Sequence, residues 1–226
     1  MTGADGGGST GHGAELVWRA VWAVLGVAVL AFGSAVLLSA DVGVDPFTAA
    51  NIGASSHLGV ELGAYQLAVN AVLLVPIILG ARRYIGVGTV INMVLTGFFV
   101  QWFAAVLAPV VPDPPTHLLQ AVLFVVGIVF FTAGASAYMT AGVGMSPYDA
   151  LAPMVVDRTA WPYRAVRVVQ DLTFVGIAIL LGGPVGVGTV MTAFFTGPLI
   201  DFFNVRVNRP LLHRLLPGSA ARAVEG

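Results

Sequence analysis

The sequence predicts an all-α, polytopic membrane protein. Six transmembrane helices form two inverted three-helix repeats, each with an extra short helix that starts at a proline. Three observations carry this. Of 226 residues, 58% are hydrophobic and 9% charged, against about 25% charged in soluble domains. Six apolar stretches each approach the ~20 residues a bilayer requires. Motifs of the first half recur in the second at a nearly constant offset. The composition excludes an ordinary soluble enzyme and a disordered chain. A net charge of −1 without a basic block argues against nucleic acid as a partner. The absence of cysteine removes disulfides, thiol nucleophiles and Cys-based metal sites. All ten basic residues are Arg, so no lysine Schiff base or P-loop lysine is available.

Along the chain, residues 1–14 are Gly-rich and aperiodic and read as a disordered tail. The first repeat covers 15–108, with spans at 16–40, 63–80 and 87–106. The Pro-rich connection 109–117 cannot be helical, because proline removes donors and fixes φ. The second repeat covers 118–204, with spans at 118–141, 163–181 and 185–204. Residues 205–226 form a basic tail carrying Arg206, Arg209, Arg214 and Arg222. A cleaved leader competes for the first span. The span is long for a leader and corresponds to 118–141 inside the chain, which favours a retained helix. Trp18, Trp22, Trp102 and Tyr84 lie near span ends and read as interface anchors.

The duplication is read by laying 33–50 on 134–151, an offset of 101, and 86–103 on 186–203, an offset of 100. Fourteen of the 36 aligned positions are identical, where average composition gives about 3. The arginines supply orientation. Arg19 precedes span one, Arg82 and Arg83 lie between spans two and three, and Arg158, Arg164 and Arg167 lie around the connection of spans four and five. With six spans, all ten arginines fall on one side. Both termini are then cytoplasmic. Three spans per repeat is an odd number, so the second repeat is inserted upside down. Such repeats are common in secondary transporters, with the site at their interface near the midplane.

Three groups of residues are candidates for chemistry. The first is the pair Gly43-Val-Asp45-Pro46-Phe47-Thr48 and Gly144-Met-Ser146-Pro147-Tyr148-Asp149. Asp45 and Ser146 suit N-caps, and Pro46 and Pro147 suit the first helical position. Short helices over 46–56 and 147–157 are expected. They either lie at the interfaces or re-enter from opposite faces, aiming their N-termini at an anionic group. The second is Gly86-Val-Gly-Thr89 and Gly186-Val-Gly-Thr189, whose Thr89 and Thr189 either serve tight packing or line a pathway. The third is polar residues inside spans. Arg167 and Asp171 are four apart on one helix face, and the repeat offset places Gln66 and Asn70 opposite them. An ionisable residue at the depth of Asp171 is a functional candidate, although a structural ion pair explains it equally. The four His residues form no metal or catalytic pattern, and no nucleophile–base set is visible, so no enzyme and no cofactor is expected.

The two ordered copies of Gly-x-x-Pro-aromatic, each followed by Gly-Val-Gly-Thr and a later Thr-Gly, resemble the YczE/YyaS/YitT-type bacterial integral membrane proteins over roughly residues 20–205. The second copy fits at Gly144, Pro147, Tyr148 and Asp149. In the first, Thr48 stands where an Asp is usual and Asp45 precedes the proline. The resemblance implies a bacterial plasma-membrane location. The expectation is a small secondary transporter or permease for a small solute bound by Asp45, Pro46, Ser146, Pro147, Asp149, Gln66, Asn70, Thr89 and Thr189, with an anionic group held at the Asp45/Pro46 and Ser146/Pro147 helix starts and with Asp171 and Arg167 as the coupling pair. The lipid bilayer is a necessary partner. Six helices leave little room for a large cavity, which argues for a homo-oligomer. The alternative is a non-transporting accessory subunit or scaffold that binds a partner protein or lipid.

Overall fold

The computed structural model describes residues 8–215, and every regular element among them is helical. The elements are α1 (Gly8–Ser39), α2 (Pro46–Leu58), α3 (Leu62–Gly80), α4 (Val87–Leu107), α5 (His117–Thr140), α6 (Pro147–Val156), α7 (Tyr163–Leu180), α8 (Val187–Phe194), α9 (Thr196–Phe203) and α10 (Arg209–Leu215). Four of them are long and apolar enough to cross a membrane: α1 from Gly13, α3, α4 and α5. Helix α7 spans 18 residues but carries Arg164, Arg167 and Asp171. The sixth apolar stretch is not one helix. It breaks at Phe195 into α8 and α9. Pro198 is the cause, because it has no N–H to offer the Phe194 carbonyl and its ring crowds that carbonyl. Phe98 holds the matching position in α4, which runs unbroken.

The described parts of both tails are helical. Helix α1 begins at Gly8, so residues 8–14 are helical rather than disordered; residues 1–7 lie outside the described residues. Once the apolar run has nucleated the helix, each further turn adds a hydrogen bond per residue. After α9 the chain makes one π-helical turn (Asn204–Asn208) and continues into α10. Asn208 and Leu212 are buried, and the Asn208 amide donates to the Ala133 carbonyl of α5 (3.4 Å). The first part of the basic tail is therefore packed on the bundle. Residues 216–226 lie outside the described residues.

The centre of the bundle is the α1–α5 pair. Gly26 faces Tyr138, Gly33 faces Phe131, Gly134 faces Leu30 and Gly127 faces Leu37. As α1 ascends, α5 descends, so the two run antiparallel. Only glycine lets the two backbones come this close. Each contact has a counterpart at an offset of 101: Gly33–Phe131 with Gly134–Leu30, and Gly26–Tyr138 with Gly127–Leu37. At the helix ends Arg19 donates to the Ala141 carbonyl (3.0 Å), while Gln120 donates to the Ala40 carbonyl (3.0 Å).

The loops before the short helices repeat the pattern. The Gly88 N–H donates to the Val143 carbonyl (2.7 Å), and the Gly188 N–H donates to the Val42 carbonyl (2.7 Å). The Met145 N–H donates to Tyr84 (2.9 Å), and the Val44 N–H to Pro184 (3.3 Å). Each Gly-x-x-Pro loop is thus docked on the Gly-Val-Gly-Thr turn of the other half. Gly43 (φ +81°) and Gly144 (φ +116°) adopt backbone conformations that other residues avoid. The short helices are exchanged in the same sense: α2 packs against α7, and α6 against α3.

The arginine-bearing connections meet at one end. Arg158 donates to the Gly80 carbonyl (2.7 Å), and Arg83 pairs with Asp157, which also accepts from the Tyr84 hydroxyl (2.9 Å). Outward positions are apolar, as in Leu79 (79% exposed) and Leu180 (83%). Buried positions include Gln66, Asn70, Thr89 and Asp171, each at 2% or less. This polarity, apolar out and polar in, suits a lipid surround.

Candidate functional site

Local sequence sets the two short helices. Asp45 caps α2 by accepting the Thr48 N–H (3.0 Å), and Ser146 caps α6 by accepting the Asp149 N–H (3.0 Å). Proline follows each cap at the first helical position, where a missing N–H costs nothing. Both helix starts face one cavity of about 420 Å³. The aromatic residue after each proline brings them together. The Phe47 and Tyr148 rings stack with centroids 4.6 Å apart, and Phe174 of α7 meets both edge-on.

The charged part of the site belongs to α6 and α7. Arg167 donates to Asp149 (2.9 Å) and to Asp171 (3.2 Å). Its guanidinium also lies over the Tyr148 ring, 4.9 Å from the centroid. The Ser146 hydroxyl donates to the other Asp149 oxygen (2.7 Å), and the Tyr148 hydroxyl donates to Asp171. Gln170 donates to the Tyr148 carbonyl (2.9 Å) and ties α7 to α6. Asp171 is almost wholly buried, whereas the Arg167 side chain is 30% exposed. A charge-assisted network of this density is a rigid, oriented set of dipoles.

The first half answers with neutral groups. At the positions matching Asp149, Arg167 and Asp171 stand Thr48, Gln66 and Asn70. Gln66 and Thr48 line the cavity, as do Asn92 and Thr96 of α4. Gln66 Oε1, Thr96 Oγ1 and both amide atoms of Asn70 are buried without a hydrogen-bond partner.

Of the residues singled out in the sequence, Asp45, Pro46, Ser146, Asp149, Gln66, Arg167 and Asp171 line the cavity. Four do not. Pro147 is fully buried behind its helix start, and Asn70 is buried one turn beyond Gln66. Thr89 and Thr189 lie away from the cavity because each is used as a cap. Their hydroxyls accept the Gly86 N–H (3.0 Å) and the Gly186 N–H (3.2 Å), which closes the first turns of α4 and α8. Sequence reasoning missed the aromatic wall of Phe47, Tyr148, Tyr138 and Tyr163. The shared Pro-aromatic step of the two motifs was the available signal.

Known proteins resemble this chain along most of its length. Residues 17–205 match a family model described as "Family of unknown function (DUF6198)". The uncharacterized membrane protein YczE of Bacillus subtilis (strain 168) is 31% identical over 189 residues, covering 83% of this chain and 86% of that one. An uncharacterized protein of Haemophilus influenzae is 27% identical, covering 86% and 89%. The uncharacterized protein YyaS of Bacillus subtilis is 25% identical, covering 84% and 94%. The resemblance read from the paired motifs holds. No solved structure matches.

Proposed function

The chain belongs to the DUF6198 family, and we propose that this member is a small secondary transporter whose solute site is the central cavity. The observation that carries the proposal is the cavity itself. Both short helices start on it, and the ion-pair network of Arg167 with Asp149 and the buried Asp171 borders it. Ionisable groups enclosed by apolar spans mark ion and solute pathways.

The proposal includes six spans in two inverted repeats. Two observations support it. Helices α1 and α5, which hold matching positions in the two halves, run antiparallel, and their glycine contacts are reciprocal. The loop contacts are reciprocal as well. A two-fold axis lying across the helices produces this pattern, and in a membrane that axis lies in the membrane plane. Helix α7 supplies the fifth span and α8 with α9 the sixth, a discontinuous helix of the kind that lines transporter sites. Leu30, Thr96 and Phe131 line the cavity from the middle of α1, α4 and α5, which supports re-entrant short helices that start near the midplane. The arginine-bearing connections then face the cytoplasm of a bacterial plasma membrane, together with both termini.

The test is solute counterflow in proteoliposomes of the full chain, with wild type beside Asp171→Asn. Transport that disappears or loses its pH dependence in Asp171→Asn supports the reading. Unchanged transport in the variant removes Asp171 from the mechanism. Absence of flux across a broad solute panel, with a stoichiometric protein partner in the purified material, favours the accessory-subunit alternative.

A further inference from the structure

The charges around the cavity do not balance, and the imbalance has a sign. Arg167 is the one cation among the described lining residues. It is shared by Asp149 and Asp171. Asp45, on the opposite half, accepts the Thr48 N–H with one oxygen, and no described cation pairs with it. Three carboxylates therefore face one guanidinium, with Asp201 a further acid at an exposed lining position. An excess of carboxylates over cations in one cavity favours positive charge there, supplied by protons or by a bound cation.

A second, independent observation points to the same ligand. Gln66 is 1% exposed, lines the cavity, and its Oε1 accepts nothing. A buried carbonyl oxygen without a donor calls for an N–H or O–H from whatever fills the space. The walls add a third. Ring faces attract cations: Tyr148 holds the Arg167 guanidinium and stacks on Phe47, and the Tyr138 and Tyr163 rings line the cavity beside it. A cavity of about 420 Å³ with aromatic walls is built for an organic body rather than for a bare metal ion.

The same geometry removes the basis for an anionic solute. In each short helix one first-turn N–H, that of Thr48 or of Asp149, is already taken by the protein's own cap, Asp45 or Ser146. The three carboxylates would repel it.

We propose that the cavity binds a small organic ammonium ion, with Asp45 as its counter-ion and Gln66 as an acceptor for its N–H, in competition with protons. This rests on the reading of the cavity as the solute site. Exchange is charge-balanced: one proton leaves the acidic cluster as one ammonium enters, and the reverse on release. The groups facing Asp45 across the cavity are Asp149 and Tyr148 of α6, with Arg167, Asp171 and Tyr163 of α7. Tyr138 of α5 and Asp201 of α9 complete the set.

The experiment is calorimetric binding to the full chain in phosphatidylcholine nanodiscs. The probes are benzylammonium, benzyl alcohol and benzoate, which share a ring and differ in charge. Benzylammonium is expected to bind at least tenfold more tightly than the other two, and more weakly as pH falls from about 7.5 to about 5.5. Asp45→Asn is expected to weaken it about tenfold and to flatten the pH dependence. Asparagine caps helices as well as aspartate, so the variant should fold, and an unchanged melting temperature checks this. Gln66→Leu is expected to weaken benzylammonium while raising the melting temperature, because it removes a buried amide oxygen that has no donor. Tighter binding of benzoate, or wild-type benzylammonium affinity in folded Asp45→Asn, overturns the proposal. Asp45-dependent binding without flux in proteoliposomes keeps the cation site and sinks the transport reading. Flux of neutral or anionic solutes alone does the opposite.

Discussion

The Arg167–Asp171 pair allows a prediction with a built-in control, because α3 already shows what the position looks like without charge. Arg167→Gln leaves Asp171 nearly buried with only the Tyr148 hydroxyl, and leaves Asp149 with Ser146. Removing one partner of a buried pair costs about 3–5 kcal/mol. The Arg167 side chain is 30% exposed, which screens the pair and lowers this to about 2–3 kcal/mol. Asp171→Asn keeps the Arg167–Asp149 pair and should cost about 1–2 kcal/mol. The double variant installs the Gln-x-x-x-Asn arrangement of Gln66 and Asn70. It should lie only about 1–2 kcal/mol below wild type, so the two residues couple by roughly 2 kcal/mol, within the range for contacting pairs. At about 2–4 °C per kcal/mol for a chain of this size, Arg167→Gln melts about 4–12 °C lower and the double variant recovers much of the loss. Thermal unfolding of the purified chain in detergent, followed by tryptophan fluorescence, reads both. Strictly additive losses would refute the argument, because they would mean that the two side chains do not share an energy.

Two further predictions follow from the packing and from the composition. Gly33→Ala and Gly134→Ala each drive a Cβ into the backbone of the facing helix, which has no rotamer to relax. Both should sharply reduce the monodisperse yield in fluorescence-detected gel filtration, and to similar extents, whereas Gly176→Ala, with open space around it, should leave the yield unchanged. Unequal losses at the first two would contradict their equivalence. Because the chain has no cysteine, single cysteines report without background. A cysteine at Thr159 should label only from the cytoplasmic side and one at Asp113 only from the outside, in intact cells treated with an impermeant maleimide. Labelling of both from one side would break the six-span topology.

What could be read from sequence was local or periodic. The short-helix starts were legible because an N-cap followed by proline acts within four residues, and Asp45 and Ser146 make the expected bonds. The Arg167–Asp171 pair was legible because four residues make one helical turn. The reciprocal contacts are those the proposed repeat implies, because a repeat would copy long-range information into the chain twice. The links from Arg167 to Asp149 and from Tyr148 to Asp171 were hidden, since only the docking of α6 against α7 creates them. The break at Phe195 was legible from Pro198, but aligning that stretch with the continuous α4 hid it. For Thr89 and Thr189 the sequence left packing and lining open, because a threonine beside glycines serves either. The hydrogen bonds to Gly86 and Gly186 set them as caps.

The two halves share a scaffold but not a charge, and the difference has a direction. Within the second half, Arg167 is held by Asp149 and Asp171, while α2 of the first half packs on α7 and its Phe47 ring stacks on Tyr148. Asp45 comes from the first half and faces the network across the cavity. Its interaction with Asp149 and Asp171 is repulsive, and no described cation offsets it. Under the proposed cation site, an empty cavity leaves these carboxylates against one another, whereas an ammonium ion or a proton between them relieves the repulsion. A pair of neutral halves would have no such preference. On that proposal, Asp149, Arg167 and Asp171 in place of Thr48, Gln66 and Asn70 tie the electrostatics of the cavity to the occupancy of the site.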